Sequence, residues 1–209
     1  MYLQLCGDIH PNPEPNSSLF DTLQMVRDKG KHGISIGHSN VRGLRKNLAE
    51  VKILIEHTNP DILSISETLL TPDIHNDEVN IDGYQILRKD RTHKGGGRVA
   101  IYFKTILDCT RLSKYEDEDT GTICIDLLSH SQRLLIGCVY RTPNASLFFD
   151  KFHRILDRVW MTRRNVVIAG DFISDMLFRT GNGNKWKRIF QCFNFRNIIK
   201  APTRNFEAF

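Results

Sequence analysis

Three short polar groups stand at the exits of apolar runs, and their residue types suit phosphate chemistry with a bound cation. They are Ser39-Asn40 after GISIGH, Ser66-Glu67-Thr68 after DILSI, and Gly170-Asp171 after NVVIA. Two carboxylates and an amide form an oxygen-rich set. Mg²⁺ takes such ligands sparingly, using one or two protein carboxylates and leaving water and substrate phosphate to complete its shell. Loops at strand ends are also where active-site groups are commonly presented. Taken singly, each signal is weak, and a lone strand-end aspartate is more often a turn residue or a helix cap. Tyr140, closing the run CVY, reads on its own as a core aromatic at a strand end. Arg88, Arg91 and Lys94 precede Gly95-Gly96-Gly97 and could touch a polyanion, or could belong to a solvated hairpin turn.

The elements that must position these groups follow from hydrophobic periodicity. GISIGHSNV reads as a strand, and GLRKNLAEVKILIEH as a helix with Leu44, Leu48, Val51 and Ile55 on one face. Asn59-Pro60 should stop that helix, because a residue before proline avoids the α region. DILSISET (61–68) is then a buried strand. YQILRKD, GRVAIYFK, GTICIDLLS and RLLIGCVYR are four more strands, with TILDCTRLSKYEDED as a connecting stretch. A helix over LFFDKFHRILDRVWM should bury Phe148, Phe152, Ile155 and Val159. NVVIAGDF (165–172) is an apolar strand, followed by a short helix around KWKRIFQCF and a last strand near FRNIIK. Residues 1–32 lack sustained periodicity and contain Pro11, Pro13 and Pro15, so they read as a disordered tail. The order implies an α/β fold with two packed sheets and helices outside.

A chain of 209 residues with 40% hydrophobic and 25% charged residues suits one globular domain. No apolar run approaches the roughly 18–20 residues of a membrane span, and MYLQLCGDIHPNPEP does not look like a secretory signal. Five scattered cysteines without CxxC spacing favour reduced thiols, hence an intracellular protein with no disulfide partner. The formal charge of +5 comes from basic clusters such as Arg42/Arg45/Lys46 and Arg154/Arg158/Arg163/Arg164. Phosphate-backbone binding needs clusters of this kind, although solvated helix faces carry them too.

Together and in order, SNVRGLRKN, DILSISET, DGYQILRKDR-THKGGGRVAIYFK, CVYRTPN and VVIAGDF resemble the endonuclease/exonuclease/phosphatase (DNase I-like) domains of non-LTR retrotransposons. The resemblance covers about residues 33–205. It implies a four-layered α/β sandwich of two mixed sheets with outer helices, and an active site at the edge where the sheets meet. It assigns Asn40 to positioning metal and phosphate, Glu67 to metal binding, Tyr140 to contact with the scissile phosphate, and Asp171 to activation of the attacking water. Glu67 and Asn40 would hold Mg²⁺ or Mn²⁺. Arg88, Arg91, Lys94, Thr203 and Arg204 would touch nucleic acid, which makes DNA the expected partner; a monomer is the default reading, and the nucleus is one intracellular compartment open to such a protein. The bland rival within this resemblance is a domain that binds nucleic acid without turnover; a phosphoesterase on a small substrate is a more distant one.

The chain also departs from the pattern. Family members continue the Gly-Asp-Phe run with asparagine, where this sequence has Ile173. The chain reaches Phe209 without the family's Ser-Asp-His motif, so the expectation is an incomplete domain over 33–209, lacking its last strands and exposing a sheet edge, with weak or absent hydrolysis. Asp8 to Pro15 resembles a ribosome-skipping peptide in which Glu14 replaces the glycine of NPGP.

Overall fold

The computed structural model describes residues 2–5, 33–90, 98–117, 120–129, 132–142, 145, 147–162, 164–172 and 181–198. Among these, the chain forms strands β1 (Tyr2–Leu5) and β2 (Ile36–Asn40), helix α1 (Leu48–Thr58), and strands β3 (Ile62–Ser66), β4 (Tyr84–Lys89), β5 (Val99–Lys104), β6 (Asp108–Arg111), β7 (Gly121–Ser129) and β8 (Gln132–Tyr140). Helix α2 (Phe148–Trp160), strand β9 (Asn165–Asp171), helix α3 (Gly181–Cys192) and strand β10 (Arg196–Asn197) complete it.

Two sheets result. One has the order β2-β3-β5-β4 and the other β10-β1-β9-β8-β7-β6, both mixed in strand direction. Every residue of β2 and β3 is buried, as expected of parallel strands covered on both faces. The β2-α1-β3 crossover joins them in parallel. Three apolar clusters fill the spaces between layers. Val51, Leu54 and Ile55 of α1 pack on Leu63, Ile65 and Tyr102 of the smaller sheet. Ile62, Ile101, Ile125, Ile136 and Val167 lie between the two sheets. Phe152, Ile155, Trp186 and Phe190 cover the outer face of the larger sheet from α2 and α3. The layers are therefore helix, sheet, sheet, helix: the four-layered α/β sandwich. Each large apolar side chain buried this way contributes on the order of 1.5–3 kcal/mol.

Several boundaries differ from the sequence reading. Helix α1 begins at Leu48 rather than near Gly43, because Arg42 (φ 46°) and Gly43 (φ 116°) occupy left-handed backbone that a helix cannot include. It ends where expected, with Asn59 in the left-handed conformation and its N–H on Ile55 O at 2.7 Å. The connecting stretch contains a strand, since Asp108–Arg111 pairs antiparallel with Ile125–Leu128. The tail expected over 1–32 gives way at Tyr2–Leu5, which pairs in parallel with both β9 and β10. That apolar segment precedes the prolines and can satisfy the backbone groups along the flank of β9. Residues 6–32, including the Pro-rich run, lie outside the described residues. Cys109, Cys124, Cys138 and Cys192 are free thiols, and no helix among the described residues is long and apolar enough to cross a membrane.

Candidate active site

Parallel pairing brings the C-terminal ends of strands out on one side, and here it does so in both sheets. Asn40 closes β2 opposite Ser66 of β3, with Glu67 next in the chain. Tyr140 closes β8 opposite Asp171, the last residue of β9. Because β2 packs against β9 across the inter-sheet core, the two edges meet.

Asn40 is the joint. Its Nδ2 donates to Glu67 Oε1 at 2.9 Å and to Asp171 Oδ2 at 2.7 Å, linking positions 131 residues apart. Its Oδ1 accepts the Arg42 N–H at 3.2 Å. The site is recessed, with Asn40 1% exposed, Tyr140 and Asp171 each 9% exposed, and Glu67 half-buried.

Local backbone holds these groups in place. Glu67 sits at φ 53°, a left-handed conformation that costs a non-glycine residue on the order of 1–2 kcal/mol. Neighbouring bonds fix it, from Gly43 N–H to Glu67 O at 2.8 Å and from Leu44 N–H to Thr68 O at 2.7 Å. The turn after β2 therefore grips the turn after β3. On the other sheet Gly170 is required by contact, since a Cβ there would lie 1.9 Å from Val139 O. Asp171 O in turn accepts the Arg141 N–H at 3.0 Å.

Two carboxylates from different sheets, spaced by one amide, fit a hard divalent cation. Among the described residues no group of three or more His, Cys, Asp or Glu side chains is placed to hold a metal; Mg²⁺ typically takes only one or two protein carboxylates, with water and phosphate oxygens as its other ligands. The Asn40 nitrogen, not its oxygen, faces both carboxylates in this structure, while the oxygen accepts the Arg42 N–H.

Of the expected site residues, Asn40, Glu67 and Asp171 meet directly, and Tyr140 flanks Asp171 in the adjacent strand. Arg88 is not brought to this edge as a free cation. Its guanidinium is held by Asp90 (Nε at 2.8 and 2.9 Å), by Thr71 O at 2.7 Å and by Asn76 Oδ1 at 3.2 Å, leaving the side chain 11% exposed. Arg91, Lys94, Ile173, Thr203 and Arg204 lie outside the described residues. Arg141, not singled out in the sequence, sits one residue past Tyr140 with a buried side chain that burial pushes below the ordinary arginine pKa. Its position inside VYRTPN was the one available signal.

The chain superposes on solved structures of DNA-processing enzymes. An AP endonuclease, LMAP, from Leishmania major is 16% identical with a TM-score of 0.61; the match covers 76% of this chain and 66% of that one, just under two thirds of its length. The endonuclease domain of TRAS1, a telomere-specific non-LTR retrotransposon, is 13% identical with a TM-score of 0.59, covering 77% of this chain and 71% of that one. A 3′ phosphatase, NExo, from Neisseria gives 17% identity and a TM-score of 0.55 over 76% of this chain and 71% of its own. At such identities the likeness is one of fold. No curated protein matches the sequence. The Endonuclease/Exonuclease/phosphatase family matches residues 37–172, a span that contains Asn40, Glu67, Tyr140 and Asp171, and the chain belongs to that family.

Proposed function

We propose that this domain is a divalent-cation-dependent phosphodiesterase acting on DNA, related to the nicking endonucleases of non-LTR retrotransposons, with slow hydrolysis as encoded. The observation that carries this is the convergence of Asn40, Glu67 and Asp171 from two sheets on one recessed edge. A Mg²⁺ or Mn²⁺ ion held by Glu67 would supply Lewis-acid neutralisation of charge on the phosphoryl oxygens. The remaining work falls to the chain. Asp171 accepts the proton of the attacking water, Asn40 keeps both carboxylates in register, and Tyr140 donates its hydroxyl to the scissile phosphate. Ile173 offers neither donor nor acceptor where family members carry an asparagine amide. Loss of one preorganised polar group of this kind typically lowers the rate by about 10²–10³.

Nicking of supercoiled plasmid in Mg²⁺ tests the reading. Wild type should nick slowly, Ile173→Asn should accelerate by about 10²–10³, and Glu67→Ala in either background should abolish the activity. Nicking that survives Glu67→Ala, or a folded Ile173→Asn protein as inert as wild type, would overturn it. The second reading, DNA binding without turnover, is favoured by Ile173. It corresponds to salt-sensitive plasmid retention with no nicking by either protein.

A further inference from the structure

Arg141 is 7% exposed, yet no carboxylate among the described residues pairs with it, and its buried Nε has no hydrogen-bond partner there. Several other sheltered arginines have acids: Arg88 has Asp90, Arg111 has Glu116, and Arg164 has Asp126, while half-buried Arg98 shares with Arg141 a buried Nε without a partner among the described residues. A buried charge without a counter-ion is costly, and structural arginines avoid it by such pairing. What Arg141 has is an aromatic platform. Its Cζ lies 5.0 Å from the centre of the Phe149 ring, and Lys185 Nζ lies 5.5 Å from the same ring. Trp186 packs on Phe149 at 4.9 Å, and its buried indole N–H has no acceptor among the described residues. Among the described residues, donors and positive charge thus gather on one ring with no carboxylate paired to them.

The location matters as much as the composition. Along β8, Tyr140 faces the inter-sheet core, while Val139 faces α2 and α3. Arg141 follows that alternation to the α2/α3 side, where Phe149 and Lys185 reside. Its own N–H is bound to Asp171 O, which ties it to the candidate catalytic edge.

We propose that Arg141, backed by Phe149 and flanked by Lys185, is a phosphate-binding subsite beside the Asn40–Glu67–Asp171 cluster, taking a non-scissile phosphate of the substrate. This rests on the phosphodiesterase reading of that cluster. A guanidinium fork can bind two phosphate oxygens at once, and the ring beneath holds its plane without supplying competing negative charge. The phosphate belongs either to a polynucleotide or to a small phosphoester, and the experiment separates these.

Binding of a fluorescent duplex oligonucleotide to the full chain, measured by anisotropy over a salt series without Mg²⁺, supplies the test. Arg141→Gln should weaken binding about 10-fold and lower the salt slope by about 0.9, the loss of one phosphate contact. Arg141→Lys should keep the slope, and Lys52→Gln on the exposed side of α1 should change nothing. Lys185→Gln, at an exposed position, should lower the slope even if Arg141→Gln fails to fold. If inorganic phosphate raises the Tm of wild type but not of Arg141→Gln while oligonucleotide binding stays equal, the subsite stands and its ligand is a small phosphoester. Wild-type affinity and slope in folded Arg141→Gln and Lys185→Gln, with no phosphate effect on Tm, would overturn the proposal. Plasmid nicking reads the catalytic cluster separately: nicking that survives Glu67→Ala with the Arg141 and Lys185 slope changes intact sinks only the catalytic reading, and the reverse pattern sinks only the subsite.

Discussion

Replacing Asn40 by alanine removes a side chain that donates to both carboxylates. Two N–H donors at 2.9 and 2.7 Å are lost, and the Arg42 N–H loses its acceptor at 3.2 Å. A hydrogen bond to a charged group is worth about 1.5–3 kcal/mol, and the Glu67 bond belongs at the lower end because that carboxylate is half-exposed. The gross loss is then roughly 4 kcal/mol. Water entering the gap and small movements of the carboxylates should recover part of it, leaving a net loss of about 2–3 kcal/mol. For a domain of this size that corresponds to a drop in Tm of roughly 5–10 °C. Urea denaturation at neutral pH and low salt, followed by circular dichroism, reads it directly. Asn40→Asp should be worse still, since it sets a third carboxylate between two, and added Mg²⁺ should restore more of its stability than of the wild type's. A folded Asn40→Ala protein within about 0.5 kcal/mol of wild type would refute the reasoning, because the two sheets would then meet at this edge without help from the amide.

Gly170→Ala places a Cβ 1.9 Å from Val139 O inside a paired strand, so backbone must move; a loss at or above the top of the about 1–3 kcal/mol range for overpacking is expected in the same urea assay. Asp61 gives a pH dependence. Burial pushes its carboxyl up, but the Ser35 N–H and hydroxyl (2.8 and 2.7 Å) and Lys104 (3.0 Å) outweigh this and hold it below its ordinary value of 3.8. Its contribution is therefore complete above that value and lost as pH falls through the lower folded-state value. The stability gap between wild type and Asp61→Asn should be constant from about pH 5 to 8 and shrink below about pH 4. A gap that widens on acidification would contradict the assignment.

Much of the site was readable because the strands that carry it are apolar runs broken by polar residues at their exits. Ile36–Asn40, Ile62–Ser66 and Asn165–Asp171 each end on the side chain in question or one residue before it. The family resemblance carried by those exits in their order implies one site for Asn40, Glu67 and Asp171, and strand pairing with sheet packing brings the three together in space. What stayed hidden depends on distant partners or on backbone. Arg88 reads as a free cation ahead of a glycine run, and only the fold brings Thr71 and Asn76 to its guanidinium. The late start of α1 comes from positive φ at Arg42 and Gly43, which leaves little trace in composition when one of the two is arginine. β6 was missed because Asp108–Arg111 alternates polar and half-buried residues at a sheet edge, with no apolar run to mark it. Tyr2–Leu5 is too short to show periodicity, and it is a strand through its two neighbours. Likewise, nothing in the letters around Arg141 shows that Phe149 and Lys185 will close on it from two different helices.

Titration with Mn²⁺, with free ion counted by its electron paramagnetic resonance signal, addresses the cation site itself without requiring turnover. The expected result is one bound ion per chain, displaced by excess Mg²⁺ and lost in both Glu67→Gln and Asp171→Asn while their circular dichroism spectra match wild type. Equal Mn²⁺ binding by wild type and both variants would show that these two carboxylates do not share a cation.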